Sequence, residues 1–183
     1  EVVSITPIPY AERVHGPIVF CAGGSDPAGV LEKMVVWCGK MVKMVEWIFL
    51  VPENQARFVT IPCPWVTWEP FTREHLRTAA MVVTTMGQTV YECLYLGTPV
   101  FILGHTDRHC NAAQHLGRTT ALSGYGSVYL GDVRTMDADT FGFSLRSYGS
   151  DARTRTEMAE RSMGVLDGKG VERIAERILG LAS

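Results

Sequence analysis

The sequence predicts an α/β fold: a parallel sheet with helices on both faces. Three observations predict it. Short apolar runs alternate along the chain with segments of helical spacing. Several of these runs are apolar at nearly every position, as strands buried on both faces are. Glycine, proline and small polar residues stand at the junctions between run and helix.

The first strand is Ile18-Val19-Phe20-Cys21-Ala22. It meets Gly23-Gly24-Ser25-Asp26-Pro27, where Ser25 or Asp26 can cap a helix and Pro27 can occupy its first turn. Leu31, Met34, Cys38, Met41 and Val45 then recur at helical spacing. A strand over 47–51 stops at Pro52, and another is expected around 58–61. A polar-capped helix over 72–79 leads to a strand at 81–84, a helix at 88–96, a strand at 99–103 and a helix at 108–116. In the Gly-rich stretch 121–132, Val128-Tyr129-Leu130 is the best strand candidate. Helices near 137–145 and 150–166 follow, the second broken at Asp167-Gly168, and Val171, Ile174, Ala175, Ile178 and Leu179 mark a last amphipathic helix.

With 183 residues and 46% hydrophobic content, the chain suits one well-buried domain, expected over 18–183. Residues 1–17, punctuated by Pro7, Pro9, Gly16 and Pro17, read as a linker or interdomain segment, and the chain as a piece of a longer protein. A net charge of −2 without a Lys/Arg cluster argues against nucleic acid as a polymer partner. No apolar run approaches about 18 residues, so no transmembrane segment is expected. The five cysteines, Cys21, Cys38, Cys63, Cys93 and Cys110, are odd in number and lack CxxC spacing, which fits buried free thiols in a cytoplasmic setting. Trp37, Trp47 and Trp65 read as core or interface residues, and Met34 to Met44 as packing material. Arg153, Arg155 and Arg161, mixed with Asp151, Glu157 and Glu160, read as a solvated face.

Three segments carry chemistry. The run Met86-Gly87-Gln88-Thr89 lies between a strand and a helix, so Gly87, Gln88 and Thr89 offer free N–H groups to an anion, and Glu92 lies about one turn further in, within reach of a sugar hydroxyl. The same run also reads as a capped core helix with an exposed Glu92. Gly24 and Ser25 in the first turn allow close approach to a phosphate, although a tight βα turn needs glycine for itself. The third segment is His105-Thr106-Asp107-Arg108-His109-Cys110-Asn111, whose polar groups can bond a sugar or a leaving phosphate. It has no second ligand pair of zinc type, and no metal is expected.

These motifs, with Val66-Thr67-Trp68-Glu69-Pro70-Phe71 and Leu96-Gly97-Thr98-Pro99, occur in an order that resembles the carboxyl-terminal, donor nucleotide-sugar-binding domain of the GT-B superfamily. They look most like the UDP-sugar hydrolases of pseudaminic acid synthesis and the MurG-type glycosyltransferases, and the tail Leu166-Asp167-Gly168-Lys169-Gly170-Val171-Glu172-Arg173-Ile174-Ala175 is similar to the hydrolase group. The resemblance spans about residues 18–178. It implies a Rossmann-like domain, one half of a GT-B fold, that binds UDP or a UDP-sugar as substrate, with no cofactor.

By the same resemblance Glu92 binds the ribose, Gly87, Gln88 and Thr89 contact the diphosphate, Gly24 and Ser25 flank it, His109 and Asn111 approach the sugar, and 66–68 lie by the base. His109 is a candidate acid towards the leaving group. Two departures stand out: Met86 occupies a position that is often small or polar, and Arg108-His109-Cys110 replaces a glutamine pair common in the transferases. The acceptor pocket and catalytic base are expected on an amino-terminal domain missing from this chain. The chain is thus expected to act in a glycosyltransferase or UDP-sugar hydrolase, or alternatively as a non-catalytic binding module that needs a separate acceptor-domain partner. It is expected to bind without turning over alone. The apolar first strand and the linker are expected to expose surface through which the fragment dimerises.

Overall fold

The computed structural model describes residues 5–24, 26, 29–40, 46–51, 65–123 and 126–180, with side chains omitted over 117–123. Among these residues six strands form one parallel sheet: β1 (Ile18–Cys21), β2 (Trp47–Val51), β3 (Val66–Pro70), β4 (Met81–Thr85), β5 (Val100–Gly104) and β6 (Ser127–Asp132). Their spatial order is β3-β2-β1-β4-β5-β6. The helices are α1 (Val30–Lys40), α2 (Arg73–Thr78), α3 (Gln88–Leu96), α4 (Asp107–Ser123), α5 (Ala138–Gly149), α6 (Ala152–Ser162) and α7 (Gly170–Leu179). This is the Rossmann-like α/β fold that the sequence predicts.

Side-chain alternation along each strand feeds two cores. Phe20, Phe49, Val83 and Phe101 pack under α1 and α5, against Met34, Trp37 and Phe141. Val19, Leu50, Val82 and Ile102 pack on the other face against Val90, Cys93 and Leu94 of α3. Each fully buried Phe, Leu or Val contributes about 1.5–3 kcal/mol, so the central strands are fixed from both sides. All four residues of β1 are buried, so this strand exposes no surface, contrary to expectation. Apolar surface is instead exposed on α7, where Val171, Ile174, Ile178 and Leu179 face outwards and no residue is buried.

Several bounds differ from the sequence expectation for physical reasons. β3 is half-exposed and ends in Pro70; a proline is tolerated there because β3 is an edge strand. The strand expected at 58–61 lies outside the described residues. α4 runs through Gly117 to Ser123, well past the expected end at 116. α6 begins at Ala152 because the Asp151 carboxylate accepts the Arg153 and Thr154 amides. Trp37 and Trp47 are core residues, as read. Arg155, however, is no solvated charge: it donates to the Tyr10 hydroxyl and to the carbonyls of Gly149 and Val14.

The segment before β1 is tied to the sheet's amino end. Tyr10 donates its hydroxyl to Ala80 O. The buried Arg13 guanidinium donates to Thr98 Oγ1 and to the carbonyls of Arg77, Leu96 and Gly97 at 2.7–2.9 Å. It thereby satisfies the end of α3, where Gly97 takes the left-handed conformation (φ 66°) that closes the helix. Arg13→Ala should lower stability in urea by about 3 kcal/mol or more, since it orphans several buried acceptors. Arg13→Lys should recover little of this, because an ammonium cannot reproduce the planar fork.

Candidate functional site

The strand order reverses between β1 and β4, so the chain leaves their carboxyl ends in opposite directions and a crevice opens between the following turns. Two hydroxyls lock these turns together. Thr84 Oγ1 donates to Cys21 O at 2.8 Å and Thr85 Oγ1 donates to Ala22 O at 3.0 Å. Gly23 turns the chain with φ 91°, a conformation that disfavours any side chain.

Three helices begin near this edge, and their amino termini differ. At α1 the Asp26 carboxylate accepts the Val30 and Leu31 amides at 2.8 and 2.7 Å. At α4 the Thr106 hydroxyl accepts the His109 amide at 3.2 Å. At α3 the capping residue is Gly87 and no side chain caps the helix. Nothing lies within 4 Å of the place where a Cβ on Gly87 or Gly24 would stand. Among the described residues nothing claims the first amides of α3, and the positive end of its dipole faces the crevice.

Gly87 and Gln88 are exposed at this opening, and Gly24 is exposed on the opposite turn. Ser25 lies outside the described residues. Thr89 is buried with its hydroxyl beside the Cys21 thiol, which takes that hydroxyl away from the opening. Burial pushes the Cys21 thiol pKa up. Met86 is half-buried and packs into the apolar cluster beneath α3, which keeps it from blocking the turn.

Glu92 is 4% exposed, which rules out an ordinary solvent-facing position. Arg73, the first residue of α2, donates its Nε to Glu92 Oε1 at 2.9 Å. This partner escaped the sequence reading, because α2 and α3 are separated in sequence by β4 and meet only in the folded chain. Its one signal is Thr72, whose hydroxyl accepts the His75 amide and so sets where α2 starts.

The third segment follows β5. The His105 and His109 rings lie with centroids 4.2 Å apart and planes tilted by 56°, and His109 Nδ1 lies 3.0 Å from His105 Nε2. Asn111 is exposed on α4. A bulge in β6, where Leu103 pairs with Gly131 after Ile102 pairs with Tyr129, brings Asp132 level with Gly104. Arg134 binds both Asp132 and Asp107. Its hydrogen bond lowers the Asp132 pKa to about 2, while burial raises that of the Tyr129 phenol. Among the described residues no group of three or more His, Cys, Asp or Glu is placed to hold a metal ion. Asp137 and Asp139 have the spacing of an acidic pair, but Asp137 caps α5 through the Thr140 amide. A cavity of about 550 Å³ lies at the far end of the sheet, lined by Ile18, Trp47 and Met81, the first residues of their strands, and is separate from the crevice.

No protein-family model and no curated protein matches the chain. Solved structures do. MurG from Acinetobacter baumannii matches with a TM-score of 0.71 at 16% identity, over 98% of this chain and 55% of that one. The spinosyn rhamnosyltransferase SpnG, complexed with thymidine diphosphate, matches with a TM-score of 0.64 at 19% identity, over 95% of this chain and 49% of that one. Os79 from O. sativa, in complex with UDP, matches with a TM-score of 0.58 at 15% identity, over 96% of this chain and 44% of that one. At these identities the likeness shows the fold alone, a Rossmann-like α/β domain like one half of each matched structure. The chain spans about half the length of the solved structures it matches.

Removing the partner of a buried carboxylate should cost stability. Arg73→Met should lower it by about 1–3 kcal/mol, and the Arg73→Met/Glu92→Gln double variant should recover part of that loss. Urea unfolding of the four proteins at neutral pH measures the coupling.

Proposed function

We propose that this chain is the donor side of a glycosyltransferase or UDP-sugar hydrolase: a domain that holds the nucleotide of a UDP-sugar for chemistry completed by an acceptor domain. The observation that carries this proposal is the uncapped terminus of α3 above the β1/β4 crevice, with Glu92 buried on the same helix. An anion is the natural occupant of such a terminus. The structures of the same fold that contain UDP and thymidine diphosphate support a nucleoside diphosphate as that anion.

In this arrangement the diphosphate accepts from the Gln88 and Thr89 amides, with Gly87 and Gly24 leaving room for its oxygens. Glu92, held by Arg73, accepts from the ribose hydroxyls, and residues 66–68 at the edge of the sheet lie by the base. When the glycosidic bond breaks, negative charge grows on the departing diphosphate, and fixed amide dipoles already point at it. His109 and Asn111 stand on the sugar side. In this proposal the chain binds but does not turn over alone. The acceptor pocket and activating base belong, in this proposal, to a partner domain. The buried thiols Cys21, Cys38 and Cys93 suit a reducing, cytoplasmic setting.

Calorimetric titration with UDP, uridine and inorganic phosphate tests the assignment. UDP should bind saturably and more tightly than either fragment. Glu92→Ala should weaken UDP by about 1.5–3 kcal/mol, the range of a charge-assisted hydrogen bond, and should leave phosphate unaffected. Equal UDP affinity in wild type and variant would remove Glu92 from the site, and absence of binding would overturn the proposal.

A further inference from the structure

We propose that His105 and His109 act as one proton-accepting unit: they take up a single shared proton when a nucleoside diphosphate enters the crevice, and so supply it with a cation. This rests on the nucleotide-site proposal above and adds how that site is charged.

The geometry carries the inference. Met86 N donates to Leu103 O at 3.3 Å, so the strand end that leads into His105 touches the turn before the open α3 terminus. His105 lies two residues beyond that contact, and His109 sits on the first turn of α4. The 3.0 Å contact between His109 Nδ1 and His105 Nε2 requires one nitrogen to donate and the other to accept. A singly protonated pair keeps this bond, so charge is gained without breaking the contact.

His105 Nδ1 is buried without a hydrogen-bond partner among the described residues. In one neutral tautomer it is an N–H lacking an acceptor, and in the other a lone pair lacking a donor. Among the described residues this group is unsatisfied in either neutral tautomer.

The surrounding charges explain why the proton arrives with the ligand. Asp26 at the α1 cap and Asp132 at the end of β6 favour a charged His105, while burial, His109 and Arg134 oppose it, and the opposing influences prevail. A diphosphate adds negative charge and reverses that balance. Arg73 is paired with Glu92 and Arg134 with Asp107 and Asp132, whereas Arg108 is exposed on the first turn of α4. Beside these fixed cations, a chargeable imidazole pair adds a positive charge that arrives with the ligand.

UDP-glucose is the suitable probe, because its diphosphate diester does not titrate near neutral pH, whereas UDP does. Calorimetry on the whole chain in two buffers of different ionisation enthalpy should show net uptake approaching one proton near pH 7. Affinity should fall by about three- to tenfold per pH unit from about pH 6 to about pH 8, as one-proton linkage requires. His105→Asn and His109→Gln should each flatten that profile. UDP-glucose binding with no buffer-dependent heat in the wild-type protein would overturn the shared proton and leave the nucleotide site intact. Absence of both UDP and UDP-glucose binding would overturn the nucleotide site and the proton linkage with it.

Discussion

The parallel pairing of β1 with β4 is the constraint on which the rest depends. Ile18 to Cys21 lie beside Met81 to Thr84 in register, and the chain departs from these two strands in opposite directions. Both are buried on both faces, so neither can slide by a residue without driving its core side chains to the wrong side. The two threonine hydroxyls that end β4 extend this registration past the sheet, into the turn after β1. A crevice walled by Gly24 and Gly87 follows from strand pairing and needs no strained backbone at Gly87, whose φ of 177° is extended.

Around that crevice the protein distributes its helix termini unequally. Two are closed by their own side chains, Asp26 and Thr106, and the third is left to glycine. Closing α1 with a carboxylate places a negative charge near the site, and leaving α3 open gathers the positive end of a dipole there. Glu92 is drawn down to Arg73 and kept as a fixed acceptor beneath the opening. The site is therefore assembled from local capping choices, each worth about 1 kcal/mol, held in place by a much larger apolar core.

Much of this was legible in the sequence because the governing signals are local. Continuous apolar runs marked β1, β2, β4 and β5, and the run from Met86 to Glu92 marked a strand-to-helix turn with an open cap. β3 was missed as a strand because an edge position lets Thr67, Glu69 and Pro70 stand where a central strand would need apolar residues. Arg73 and the His105–His109 contact were not legible either. The first joins helices nineteen positions apart in sequence through tertiary packing. In the second, the i,i+4 spacing gives proximity but no indication that the two ring nitrogens meet. The anchoring of Arg13 and Arg155 was hidden for the same reason: a guanidinium aimed at carbonyls looks, in sequence, like any surface charge.

The central claim is that a nucleoside diphosphate occupies the α3 terminus, and an amide NMR map of the protein with and without UDP tests it most directly. The largest shifts should fall on Gly24, Gly87, Gln88 and Thr89, with smaller ones on His105 and its neighbours. Shifts confined to the opposite end of the sheet, around Trp47, Trp65 and Met81, or no shifts at saturating UDP, would contradict it.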